Sequence, residues 1–128
     1  MLSKSPVRTT IPVVDLDRAK TFYRTKLGLT PLNASMKDVA LFECGNGTSI
    51  ELYKRAPTKA DHTVATFEVG DIEAEVKSLK QKGVVFEEYD MPAAGIRTIN
   101  GIATLGSLKS AWFKDTEGNI LCVHEATK

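Results

Sequence analysis

The chain has 128 residues, 42% hydrophobic and 26% charged, a mixture typical of one globular domain. Its 17 basic and 16 acidic side chains give a net charge of +1 and are interspersed, which argues against a nucleic-acid partner. Cys44 and Cys122 form neither a metal-binding spacing nor a disulfide framework, and no apolar run suggests a membrane partner, so we expect a cytoplasmic protein with reduced thiols.

The first 55 residues predict one helix among four strands. Residues 8–14 are rich in β-branched side chains, and Asp15 can cap the helix that the apolar spacing predicts for residues 15–28. Three segments with the length and alternation of strands follow, LTPLNA, VALFECG and TSIELYK. The glycine-rich residues 45–47 predict a hairpin turn between the last two.

The second half repeats this order of elements. Residues 63–70 predict a strand and residues 71–83 a helix, and the strands VVFEEYD, SAWFKD and NILCVHE follow. An offset of 56 pairs Thr10 with Thr66, and an offset of 71 pairs Phe42 with Phe113. Recurrence of both the elements and their turns indicates a duplicated supersecondary unit.

We therefore predict a single α+β domain, 1–128, built from two tandem βαβββ modules. Module one spans residues 7–55 and module two spans residues 62–125. One module alone would leave a sheet face bare, so two modules predict a curved mixed sheet of about eight strands, with helices outside and a cleft inside.

Side-chain alternation along the strands selects the residues expected to face the cleft. The all-apolar face of each strand should pack against the helices, and the mixed face should line the cleft. By the repeat, Glu51 is equivalent to Cys122, and Arg8 is equivalent to Val64. The candidate ligand-binding residues are Arg8, Thr10, Leu41, Glu51, Tyr53, Val64, Trp112, Cys122 and His124.

Four segments carry a resemblance to a known family over essentially the whole chain. They are IPVVDLDRAKTFYRTKLGL, GTSIELY, FEVGDIEAEVKSLKQKGV and AWFKDTEGNILCVHE. The sequence resembles the glyoxalase, bleomycin-resistance and extradiol-dioxygenase group, called the vicinal oxygen chelate superfamily. The resemblance implies a glyoxalase-like fold, and it leaves the chemistry open because one fold hosts many activities.

The resemblance also implies where a metal would bind. In metal-using relatives the first and last strands of each module supply the ligands, and those positions fall on Arg8, Glu51, Val64 and Cys122. Only Glu51 matches, because a guanidinium and an isopropyl group have no lone pair to give. We therefore expect no metal cofactor and interpret Cys122 as a small apolar filler.

A divalent metal bound by Glu51, His62 and His124 is the alternative. These histidines lie two residues from ligand positions and keep the same side-chain parity, although two histidines at the rim are the simpler interpretation. Such a site would make the protein a metal-dependent lyase, isomerase or dioxygenase. Whether the protein is an enzyme stays open, and Glu51 is the best catalytic candidate.

Two further features invite both a structural and a functional interpretation. Arg8 and Glu51 are expected to interact, as a structural ion pair or as an anchor for a charged ligand. Trp112 either stacks on a planar ligand or belongs to the core.

Module two is longer than module one. Gly28 pairs with Gly83 at an offset of 55 and Ala40 with Ala111 at an offset of 71, so module two carries 71 − 55 = 16 extra residues within 90–109. We predict a loop that closes as a lid, with Met91, Ile96 and Ile102 as apolar contacts. A mobile surface loop and a dimer contact are the alternatives.

The preferred function is a glyoxalase/bleomycin-resistance-like protein that binds a small, partly apolar organic molecule without metal. The resemblance also implies a homodimer. The metal-dependent enzyme and a protein-binding module are the alternatives.

Overall fold

The structure is a computed structural model that describes residues 1–34 and 36–126. The chain divides into two compact units, unit 1 (Met1–Ala60) and unit 2 (Asp61–Lys128). No helix in the described ranges is long and apolar enough to cross a lipid bilayer.

Unit 1 is a four-stranded sheet with one helix. Its elements are β1 (Thr9–Val13), α1 (Leu16–Thr25), β2 (Thr30–Leu32), β3 (Val39–Glu43) and β4 (Ser49–Lys54). The strand order is β1-β4-β3-β2, in which β1 pairs with β4 in parallel and the other pairs are antiparallel. The parallel pair requires a crossover, which α1 provides.

Unit 2 repeats this plan with a wider sheet. Its elements are β5 (Thr63–Glu68), α2 (Ile72–Gln81), β6 (Asp90–Met91), β7 (Ile96–Ile99), β8 (Ile102–Leu105), β9 (Leu108–Lys114) and β10 (Ile120–Ala126). The strand order is β5-β10-β9-β8-β7-β6, with β5 parallel to β10 and the remaining pairs antiparallel. Two helices with two mixed sheets confirm the predicted α+β class.

Both helices begin at an aspartate, as the sequence predicts for the first. The Oδ1 atom of Asp15 accepts a hydrogen bond from the backbone N–H of Arg18 (3.0 Å), and that of Asp71 accepts one from Ala74 (3.1 Å). Such N-caps each stabilise a helix by roughly 1 kcal/mol because they satisfy a backbone donor that would otherwise lack a partner.

Each unit has a core on the helix side of its sheet. In unit 1, Tyr23 of α1 packs against Phe42 of β3, with ring centroids 6.0 Å apart. In unit 2, Phe86 packs edge-on against Phe113 of β9 at 5.4 Å. The largest side chains that are less than 2% exposed are Ile11, Val13, Tyr23, Phe42, Leu52, Ile72, Phe113, Asn119 and Leu121.

The aspartate and asparagine of the last sequence motif are structural. The buried Asp115 accepts hydrogen bonds through Oδ1 from the backbone N–H groups of Glu117 and Asn119 (2.8 and 2.9 Å). Its Oδ2 atom accepts a third from the Asn119 side chain (2.9 Å). Gly118 completes the turn at a φ of +86°, a conformation that favours glycine. These contacts fix the turn that joins β9 to β10.

The prediction of a loop over residues 90–109 was wrong. These residues form β6, a short 3-10 turn at Pro92–Ala94, β7 and β8, and then enter β9. The turn between β7 and β8 is Asn100-Gly101, with φ values of +54° and +86°, as a two-residue hairpin turn requires. The extra residues therefore widen the sheet, and the open loop that a lid would need is absent from this stretch.

The predicted strand over residues 84–90 was also largely wrong. Within it, Phe86 makes one isolated bridge to Phe113, and strand β6 begins only at Asp90. The side chain of Thr98 substitutes for part of the missing strand pairing. Its hydroxyl accepts a hydrogen bond from the backbone N–H of Tyr89 (2.7 Å) and donates one to Glu88 Oε2 (2.8 Å).

We predict that Gly101→Ala destabilises the protein by about 2 kcal/mol. The added Cβ would adopt a left-handed conformation and would lie 3.0 Å from the Cβ of Phe86. Urea denaturation measures the free energy of unfolding. The control is Gly70→Ala, where a Cβ meets nothing within 4 Å and φ is not in the left-handed range. Equal stability of the two variants would contradict the importance of this hairpin.

Candidate functional site

Three neighbouring strands of unit 1 bring together three of the predicted ligand-binding residues. Thr10 of β1 lies opposite Glu51 of β4, and Glu51 lies opposite Leu41 of β3. Directly opposed residues share a face of the sheet. We call Thr10, Leu41 and Glu51 the first row. Tyr53 lies two residues beyond Glu51 on the same face and is partly exposed.

Arg8 and Glu51 interact, as the sequence predicts. Arg8 directly precedes β1, and its Nε atom lies 3.6 Å from Glu51 Oε1. The Arg8 side chain is 52% exposed and that of Glu51 is 25% exposed. An ion pair in such contact with water contributes at most about 1 kcal/mol to stability. Both charges therefore stay accessible to a ligand.

Unit 2 reproduces this row residue for residue. Thr66 of β5 lies opposite Cys122 of β10, and Cys122 lies opposite Trp112 of β9. We call Thr66, Trp112 and Cys122 the second row. The pairing register matches the equivalences that the repeat predicts, so the carboxylate of Glu51 in the first row corresponds to the thiol of Cys122 in the second row.

The Cys122 thiol is held in its neutral form. The residue is 5% exposed, and its Sγ atom donates a weak hydrogen bond to the carbonyl oxygen of Val123 at 3.5 Å. Burial raises the pKa of the Cys122 thiol, and hydrogen bonds with Ser110, the Ala111 backbone and Thr66 oppose that shift less strongly. A neutral thiol is a poor metal ligand and a poor nucleophile.

Two residues beside the second row were missed by the sequence analysis. Ser110 lies opposite His124, and the Ser110 Oγ and His124 Nδ1 atoms are 2.9 Å apart. The ring of Tyr89 packs edge-on against Trp112, with centroids 5.5 Å apart. The signal for Ser110 was present, since it lies two residues before Trp112 and so shares its face. Tyr89 belongs to the wrongly predicted strand.

Burial raises the pKa of the Tyr89 hydroxyl, and the nearby charge of Glu87 adds to the shift. Tyr89 therefore stays neutral at physiological pH, and its ring supports one side of the Trp112 indole.

His62 and His124 do not converge. His62 precedes β5, its side chain is 72% exposed, and its Nδ1 atom lies 3.4 Å from Asp61 Oδ1. His124 lies opposite Glu68, six residues further along β5. The two Cα positions are thus separated by roughly 20 Å, too far for both imidazoles to bind one cation. This separation argues against the alternative metal site.

The metal-ligand positions implied by the resemblance do not suit a divalent ion either. Of the two positions in unit 1, only Glu51 offers a ligand atom, and the other position holds Arg8, whose fixed positive charge 3.6 Å from the carboxylate repels a metal ion. In unit 2, Val64 offers no donor atom and Cys122 offers a buried neutral thiol. A hard divalent cation requires several oxygen or imidazole ligands, so this donor set does not fit one.

A cluster of three acidic residues lies elsewhere in unit 2, at the start of α2. Within residues 1–34 and 36–126, Asp71, Glu73 and Glu125 are the one group of acidic, His or Cys side chains with ligand atoms within 4.8 Å of one another. Each has a structural partner. Asp71 caps the helix, and Glu125 Oε1 accepts the backbone N–H of Ile72 (2.9 Å).

Glu73 Oε1 accepts a hydrogen bond from Lys109 Nζ at 2.9 Å. That hydrogen bond lowers the pKa of Glu73, and it raises the pKa of Lys109. The cluster therefore anchors the helix end to the sheet.

Comparison with known proteins gives one family and many similar structures. The profile of the Glyoxalase/Bleomycin resistance protein/Dioxygenase superfamily matches residues 5–123. A search of curated proteins found no match.

Three solved structures illustrate the likeness. A glyoxalase family protein from Enterococcus faecalis aligns with a TM-score of 0.72 and 20% identity, covering 98% of this chain and 100% of that one. TnmS3, an antibiotic binding protein from Streptomyces sp. CB03234, aligns at 0.68 and 20%, covering 97% and 98%. FosX, a fosfomycin resistance protein from Listeria monocytogenes determined with Mn(II) and sulfate, aligns at 0.70 and 16%, covering 97% and 91%. At these identities the likeness establishes the fold.

We predict that the two thiols react very differently with a disulfide reagent such as DTNB. Cys44 is partly exposed, whereas Cys122 is buried. Cys122 should therefore react more slowly than Cys44 by about a hundredfold or more, because it must wait for local opening. Absorbance at mildly alkaline pH measures the rates, Cys44→Ser should remove the fast phase, and guanidinium chloride should equalise the two. Equally fast labelling of both native thiols would contradict the buried neutral thiol.

Proposed function

Because the chain belongs to the Glyoxalase/Bleomycin resistance protein/Dioxygenase superfamily, we propose that it binds a small, partly apolar organic molecule on the strand face of the second row, without a metal ion. The observation that carries this proposal is the composition of that row. A partly exposed indole, a small neutral thiol and an exposed hydroxyl lie side by side on one face of the sheet.

Trp112 supports a planar or aromatic ligand. An indole offers a large apolar surface and one hydrogen-bond donor, and its ring is already oriented by the edge-on contact with Tyr89. Ser110 and His124 add a polar pair next to it, held together at 2.9 Å. Pockets for small organic molecules combine such apolar walls with a few fixed polar groups.

The first row and Arg8 supply a charged anchor of a different kind. Arg8 can meet a carboxylate or phosphate group, and Glu51 can meet a cation, because both side chains keep contact with water while paired at 3.6 Å. Antibiotic binding by the relative TnmS3 gives precedent for sequestration as the biological form of such binding. We propose this role, rather than catalysis, for the present chain.

A metal-dependent lyase, isomerase or dioxygenase that uses Glu51 is the second candidate. It is favoured by the Mn(II) in the similar structure of FosX. The ion pair of Glu51 with Arg8, and the distance between His62 and His124, speak against it.

A homodimer is a further part of the proposal. Leu2 and Val7 of unit 1 are each 85% exposed, and contact with a second copy would remove these apolar side chains from water. Size-exclusion chromatography with light scattering determines the oligomeric state.

We predict that planar aromatic antibiotics quench the fluorescence of this protein at micromolar to millimolar concentrations, a range of roughly −8 to −4 kcal/mol. Trp112 is the one tryptophan of the chain, so its emission reports directly on the second row. Thr66→Arg should weaken binding about tenfold or more, because a bulky cation would cover Cys122 and Trp112.

The matched control for this titration is Thr104→Arg. Thr104 is also exposed and lies in the same sheet, but it pairs with Lys109 of β9, whose side chain lies on the face opposite to Trp112. Equal loss in both variants, or quenching that is insensitive to both, would contradict binding at the second row.

We predict that protein purified without chelator contains less than stoichiometric Ni, Zn, Mn or Fe by elemental analysis. Glu51→Gln should leave that content unchanged, because a single carboxylate beside the positive charge of Arg8 does not hold a metal ion. A full equivalent of metal that disappears in Glu51→Gln would establish the second candidate and overturn the first. Fosfomycin with added Mn(II) serves as the comparison ligand for that outcome.

A further inference from the structure

Unit 2 has a pocket on the helix side of its sheet, opposite to the face of the second row. The pocket has a volume of about 860 Å³ and lies between α2 and the β7–β8 hairpin. Val76, Lys77 and Lys80 line it from the helix, and Arg97, Ile99 and Ile102 line it from the strands. We call it the helix-side pocket.

The pocket exists because the sheet is wider than its single helix can cover. Six strands spaced roughly 4.8 Å apart span more than 20 Å, whereas a helix is only about 10 Å across. Helix α2 packs on β9 and β10. The extra hairpin extends past it, so Ile99 is left 68% exposed.

A hydrogen bond links the two sides of the pocket. Lys80 Nζ donates a hydrogen bond to the carbonyl oxygen of Asn100 at 3.0 Å, which ties the tip of the hairpin to the helix. Ile99 lies opposite Ile102 in the β7–β8 pairing, so the two side chains form one apolar floor. A volume of this size lies within the roughly 300–1,000 Å³ that small-molecule sites occupy.

The charges around this floor are mainly positive. Glu73 is the one acidic lining residue, and its carboxylate is already bound to Lys109 at 2.9 Å. In the described part of the chain, neither Lys77 nor Arg97 has an ion-pair partner within 4.0 Å, although Asp90 lies opposite Arg97 across the β6–β7 pair. Two free cations thus border an apolar surface.

We propose that the helix-side pocket is a second binding site, for a small amphipathic organic anion. Its carboxylate or other acidic group contacts Lys77 and Arg97, and its flat apolar body covers Ile99 and Ile102. A guanidinium binds such a group through two parallel hydrogen bonds, and an ammonium binds it as a point charge. This proposal is independent of ligand binding at the second row.

The test uses the full chain and 2-naphthoate as the probe, with 2-naphthalenemethanol as the neutral analogue. In low-salt buffer, calorimetry should show that naphthoate binds about tenfold or more tightly than the alcohol, because charge-assisted hydrogen bonds are the stronger ones. High salt should reduce this difference, since the cations are exposed to screening. In ¹H–¹⁵N spectra, naphthoate should shift amides of α2, β7 and β8 and leave the Trp112 indole unmoved.

The double variant Lys77→Gln/Arg97→Gln should lose about tenfold in naphthoate affinity and little in affinity for the alcohol. Lys82→Gln/Arg24→Gln removes the same charge from exposed positions that do not line the pocket and should bind like the wild type. Ile99→Asp should abolish binding of both probes, and circular dichroism checks that it folds.

Equal naphthoate affinity in the two double variants would overturn the proposal. Amide and indole shifts confined to Trp112 and β10 would show that naphthoate binds at the second row, and they would also overturn the proposal. A third outcome is a wild-type dimer that does not bind naphthoate and that Ile99→Asp dissociates. It would show that the pocket is an interface between copies, and it would also overturn the proposal.

Discussion

The parallel pairing of the first and last strands in each unit is the constraint on which the rest of the structure depends. It places Thr10 beside Glu51 in unit 1 and Thr66 beside Cys122 in unit 2. A parallel pair cannot be closed by a hairpin, so the chain must cross over through a helix that covers one face of the sheet. The opposite face of each sheet carries the first row or the second row, whose side chains point away from that helix. A ligand can therefore reach these rows.

Much of this arrangement could be predicted from the sequence because it depends on periodicity alone. The helix spacing and the strand alternation gave the parity of Glu51 and Cys122 and the equivalence of Leu41 with Trp112, and the pairing register confirms both. The contact between Arg8 and Glu51 followed from the same parity. Register along paired strands is strongly determined wherever one face is buried, so these inferences were robust.

The error over residues 90–109 arose because turn chemistry was given less weight than repeat length. Asn100-Gly101 within IRTINGIATL is a strong hairpin signal, yet the excess over module one suggested a loop. Ile102 was expected to contact a ligand from a lid, whereas its pairing with Ile99 places it on the helix side. Exposure was predicted for His62, which was interpreted as a rim histidine and is 72% exposed, and burial for Cys122, which was interpreted as an apolar filler and is 5% exposed. The shift in the pKa of the Cys122 thiol could not be predicted in this way, because it depends on tertiary packing.

The difference between the two units suggests how one scaffold can separate two binding tasks. In unit 1, α1 packs on β3 and β4 of a four-stranded sheet, so one helix covers most of the width. In unit 2 a helix with the same number of residues faces six strands. It leaves apolar surface of the β7–β8 hairpin uncovered, as the 68% exposure of Ile99 shows. Water is an unfavourable neighbour for Ile99 and Ile102, at roughly 25 cal/mol per Å² of apolar surface left exposed. Lysine and arginine at the edge of that surface keep its margin hydrated. An amphipathic anion is therefore the ligand that matches both the apolar floor and the positive charge of the pocket.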